Sequence, residues 1–280
     1  MSERFSMGKL LLAMLSVIWM IVVQFTSLLE IVMPDICFFI VYGLLETGLI
    51  YAGIRILVEK GLKSSMEEFR IKKFYIKPVW ILTAAGLPLC VCIAAILFLE
   101  GDFSLHELTG YQMMKTLVKS VFVIGIGTAV AEEFVFRGVV MTAVEKRWNV
   151  FTAVLLPSLS FGVLHIVGAG FSFWDSVVVV IAGSVVGIYF SVLTYMSGTI
   201  WFSVTAHAFW NVITTLISIS EQPSDNALMS FRLKSNDLYL TGGMFGIDAS
   251  ILSILMYLVF TMAIMIAYYK RNGSIFHCQK

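Results

Sequence analysis

Eight stretches of about twenty mainly apolar residues follow one another along this chain, at roughly 8–29, 35–58, 79–99, 114–145, 150–167, 174–196, 198–220 and 247–269. Each can cross the ~30 Å hydrocarbon core of a bilayer as a helix. A helix also satisfies its own backbone where no water is present to do so. The pattern therefore predicts an all-α fold, a polytopic membrane helical bundle of about eight transmembrane helices. Composition agrees: 59% of the residues are hydrophobic and 13% charged, against about 25% charged in soluble domains. The 280 residues read as a single integral-membrane domain, without a low-complexity tract or internal repeat. The first stretch follows Arg4 and Lys9 as a signal peptide's apolar part does, but it is long enough to span and no small-residue cleavage site comes after it, so it reads as a retained helix.

A net charge of +1 hides an uneven distribution. Lys and Arg gather near the N-terminus, between Lys60 and Lys77, at Lys146 and Arg147, and at Lys270 and Arg271, connections that share one side of an eight-span bundle. The positive-inside tendency then predicts cytoplasmic N- and C-termini, with the loop 221–246 on the opposite side. Short basic clusters of this kind concern orientation. The expected surroundings are the lipid bilayer, with no nucleic acid as partner, and nothing in the sequence fixes an oligomeric state. Cys37, Cys90, Cys92 and Cys278 follow no metal-ligand spacing and imply no disulfide framework. Cys278 stands one position short of a C-a-a-X box, so the chain is not expected to be prenylated itself. Gly183 and Gly187 form a G-x-x-x-G that lets another helix approach closely, and Pro157 predicts a kink or a late start in its helix.

The fourth stretch contains "AVAEEFVFRGVV", which sets Glu132, Glu133 and Arg137 in lipid. A charge at mid-bilayer costs about 2.5–3.5 kcal/mol on insertion scales, so such residues face the bundle interior and mark function. Glu133 and Arg137 are four apart with the acid first, the favourable order for an ion pair on a helix. Glu132 is rotated by about 100° from Glu133. It faces another surface and is the chemical carboxylate of the two. The fifth stretch carries "FGVLHI" with His165, and the seventh "TAHAFWNV", where His207 and Asn211 share one helical face. Each of these alone reads as an interhelical hydrogen-bonder. Together they hold the chemistry of hydrolysis: a base for water, a partner to orient it and donors for an oxyanion.

The three segments, E-E-x-x-x-R, F-x-x-x-H and H-x-x-x-N in that order, resemble the CAAX prenyl protease and bacteriocin-processing family, also called the Abi family. Here they run Glu132 to Arg137, Phe161 to His165 and His207 to Asn211, within a core of about 114–220. The resemblance implies an intramembrane glutamate protease, with no metal or other cofactor. Its implied substrate is a membrane-associated peptide or protein: a prenylated protein, a bacteriocin or a pheromone precursor. Carried over, Glu132 and His165 activate the attacking water, His207 and Asn211 stabilise the oxyanion, and Glu133 and Arg137 support the site. Three other readings stay open. A zinc-dependent membrane protease would use the carboxylate and two imidazoles as ligands, although H-E-x-x-H is absent. A scaffold or bacteriocin-immunity protein would use the cluster only to cement helices. A transporter would use Glu132 as a proton site.

Overall fold

A computed structural model describes residues 5–273. Every apolar stretch becomes a helix: α1 Met7–Ile31, α2 Asp35–Gly61, α3 Pro78–Phe98, α4 Gly110–Arg147, α5 Val150–Leu164, α6 Phe173–Ser197, α7 Trp201–Leu216 and α8 Ile251–Asn272. Six of them, all but α5 and α7, are long and apolar enough to cross a membrane. The protein is an integral, multi-pass helical bundle.

The fifth and seventh stretches end earlier than expected. α5 has 15 residues and α7 has 16, about 22–24 Å at 1.5 Å per residue. His165 caps α5, and the chain then turns through Gly168 and Gly170, both at positive φ. α7 gives way to a strand at Ile217. Pro157 lies inside α5, which still starts at Val150 rather than late.

A three-stranded sheet, which apolar run length gave no reason to expect, closes one end of the bundle. Its strands are β1 Gly101–Leu105, β2 Ile217–Ser220 and β3 Met229–Leu233. β3 lies in the middle, antiparallel to β1 and parallel to β2, with Phe231 opposite both Phe103 and Ile219. Ile219, Phe231 and Leu233 join a core formed with Trp80, Trp210 and Tyr257 of α3, α7 and α8. A second core joins α1, α2, α4 and α5 through residues such as Ala13, Ile54, Phe134 and Phe161.

The two cores meet where α5 lies against α6. A Cβ added at Gly183 would come within 2.8 Å of Gly162 Cα, and one at Gly187 within 2.8 Å of Ser158 Cα. The small residues thus set how closely these helices approach. Cys92 is a buried free thiol, and Cys37 and Cys90 are exposed. Cys278, and with it the near-C-a-a-X ending, lies outside the described residues.

Candidate active site

α4 begins with a capping box between Thr109 and Gln112. It is not α-helical throughout. Lys119–Gly127 and Phe134–Val140 are π-helical, and a short α-helical piece, Thr128–Glu133, lies between them. Such widened turns re-aim side chains and recur at functional sites. From 129 to 144 every residue is buried except Glu132, which is partly exposed.

Glu133 and Arg137 form the ion pair that their spacing predicts: Arg137 Nη1 donates to Glu133 Oε1 at 3.0 Å, with both side chains essentially inaccessible. Arg137 Nη2 donates to the Gly187 carbonyl at 3.3 Å. The guanidinium also lies 4.5 Å from the Phe161 ring centroid and 5.2 Å from that of Phe190, where ring quadrupoles add to its stabilisation. One residue therefore ties α4 to α5 and α6.

His207 connects the two glutamates. Its Nδ1 lies 3.0 Å from Glu133 Oε1 and its Nε2 3.7 Å from Glu132 Oε2, and the ring stacks on Phe190 with centroids 4.7 Å apart. A carboxylate only accepts, so Nδ1 carries the proton that faces Glu133. Nε2 is left to the Glu132 side. His165 Nδ1 likewise donates to the Phe161 carbonyl at 2.7 Å, which leaves its Nε2 as the lone-pair nitrogen of the neutral ring. Asn211 Nδ2 donates to the Ile124 carbonyl at 2.9 Å, in the first π-helical stretch.

Two cavities open here, and His165 lines both. The larger, about 310 Å³, also touches Glu132, Phe136 and Met20 and Gln24 of α1. The smaller, about 100 Å³, touches His207, Trp210, Asn211 and Asp248. Glu132 Oε2 is buried and has no hydrogen-bond partner among the described residues. All six residues singled out by the motifs thus converge on one region drawn from α4, α5 and α7.

Two further acids belong to the neighbourhood. Glu46 of α2 is 3% exposed, lies beside Tyr42, and approaches α4 so closely that a Cβ on Gly127 would lie 2.6 Å from its Oε2. An acid in the middle of "LLETGLI" carries the same signal as Glu132 and was legible by the same rule. Asp248 comes just before α8, in a 3₁₀ turn, Gly243–Ala249. Only packing brings it to the cavity.

Residues 114–213 match the family model of Rce1-like, type II CAAX prenyl endopeptidases. The match spans about a third of the chain, which is similar to that family over this segment. It contains all six motif residues and runs from the first turns of α4 into α7, whereas Glu46 and Asp248 lie outside it. The match makes this segment similar to membrane proteases of the CAAX endopeptidase type. No curated protein matches the chain.

Proposed function

We propose that this protein is an intramembrane endopeptidase that hydrolyses a peptide bond of a membrane-associated peptide or protein, using a water activated by Glu132 and His165. The observation that carries the reading is the division of labour between the two adjacent glutamates. Glu133 is spent on Arg137 and His207. Glu132, the one incompletely buried residue of its stretch, shares a cavity with His165.

Glu132 then acts as general base, and His165, held by the Phe161 carbonyl, offers Nε2 to orient the water. Asn211 commits one N–H to Ile124 and keeps a second for the developing oxyanion. His207 in its imidazolium form donates through both nitrogens, one to Glu133 and one toward the reacting centre. Among the described residues no group of three or more His, Cys, Asp or Glu side chains is arranged to hold a metal ion, and no step here is routed through one. The Lys and Arg asymmetry further supports cytoplasmic termini.

Mass spectrometry of membrane-bound peptides from cells expressing the wild type or Glu132→Gln identifies the substrate. With that peptide, Glu132→Gln and His165→Ala fall to background, and Asn211→Ala loses about 10²–10³ in rate, as expected for one oxyanion donor. Activity of the purified chain persists after exhaustive chelation. Activity that vanishes with chelator and returns with zinc overturns the mechanism and makes Glu132, His165 and His207 metal ligands. For orientation, an impermeant thiol reagent leaves Lys72→Cys unlabelled on intact cells, and labelling there reverses the topology.

A further inference from the structure

The smaller cavity holds a carboxylate that the proposed hydrolysis does not use. Asp248 approaches from the turn before α8 and lies beside Trp210. Its Oδ1 is buried and has no hydrogen-bond partner among the described residues. A buried carboxylate oxygen is unfavourable unless a donor meets it, and most favourable when that donor is cationic. Much of the rest of the cavity lining is small or apolar: Val179, Ala182, Gly183 and Val186 of α6, and Phe245. His165 and His207 border the same cavity.

We infer that this cavity is a binding subsite for a primary ammonium next to a small apolar side chain, with the Asp248 carboxylate accepting from the ammonium. Resting on the protease reading above, the inference identifies the ligand as the new N-terminus of the released peptide. Hydrolysis of an amide forms the carbonyl carbon–oxygen bond from water and breaks the carbon–nitrogen bond. One product is a carboxylate, and both water protons end on the nitrogen, which becomes an ammonium. A charge thus appears on the leaving side only after cleavage. A carboxylate on that side of His165 and His207 receives it without first requiring a cation in the substrate. The volume of about 100 Å³ admits a side chain of Ala or Val size.

The test is binding of the tripeptide Val-Ala-Leu and its N-acetyl derivative to the full chain in detergent, measured by calorimetry. The wild type binds the free-amine peptide at least tenfold more tightly than the acetylated one. Asp248→Asn keeps the shape of the side chain but removes the charge, and brings the two peptides within about twofold of each other. Glu132→Gln retains the wild-type preference. Equal binding of the two peptides to the wild type, no binding of either, or an undiminished preference in Asp248→Asn overturns the inference. The wild-type comparison stands alone if Asp248→Asn does not fold. Amine preference in a chain that cleaves nothing would sink the protease reading and leave the subsite, whereas cleavage without amine preference would do the reverse.

Discussion

α4 and α8 are both apolar helices of a membrane bundle, yet they bury opposite kinds of surface. α8 buries only Ser253, Tyr257 and Thr261, a stripe at four-residue spacing, while Leu255, Leu258, Val259, Met262 and Ile266 face outward. Two of these buried residues turn inward and bond locally, Ser253 Oγ to the Ile247 carbonyl at 2.6 Å and Thr261 Oγ1 to the Tyr257 carbonyl at 2.7 Å. α4 is enclosed all round from 129 to 144 except at Glu132. In a bilayer, apolarity measures contact with lipid tails rather than burial in protein. Of the two, only the enclosed helix holds a buried ion pair, where neighbouring elements supply partners.

The largest expected effect tests this enclosure. Arg137→Ala leaves Glu133 without its cation in a closed site and costs about 3–5 kcal/mol, the usual penalty for breaking a buried pair. Thermal melting in detergent reads the loss. Glu132→Gln, at the one open position, costs much less, and equal losses in both would erase the difference between the adjacent glutamates.

A middle-sized effect contrasts the two helices' surroundings. Gly187→Val puts bulk where α5 lies 2.8 Å from the new Cβ and costs about 1–3 kcal/mol by overpacking. It also disturbs the carbonyl that receives Arg137. Leu255→Ala on the outer face of α8 shifts stability by less than about 0.5 kcal/mol. A comparable loss at Leu255 would mean that the outer face of α8 is covered by a partner rather than by lipid.

The smallest effect lies at the cytoplasm-facing end predicted for α4. Lys146 Nζ donates to Glu68 Oε2 at 2.7 Å, and this bond, with help from Ser65, holds the Glu68 carboxyl below its ordinary value. A depressed carboxylate contributes stability above its unfolded value of about 4.3. That contribution disappears as pH falls through the lower folded value. Because the pair is largely solvent-exposed, the gain is well under 1 kcal/mol, roughly the range of surface pairs, and salt screens it. Glu68→Gln should therefore flatten the acid limb of the melting curve slightly and leave the neutral midpoint nearly unchanged. A large drop at neutral pH would show that the loop 62–77 depends on this contact as strongly as the interior depends on Arg137.

The sequence by itself determined the helices and the pairing of Glu133 with Arg137. Run length against bilayer thickness and four-residue spacing on one helix are local properties, readable without knowing what packs against what. It also marked Glu132, His165, His207 and Asn211, because a polar group in an apolar run is conspicuous wherever it points. Tertiary structure alone decided that His207 stands between the two glutamates, with a sequence separation of 74 residues to Glu133, and that Asp248 reaches the cavity from outside the Rce1-like segment. The π-helical stretches of α4 and the ladder joining β1 to β3 across more than a hundred residues belong to the same class. Such contacts depend on how helices are arranged around one another, and hydropathy, which reports only affinity for lipid, is the same for every arrangement.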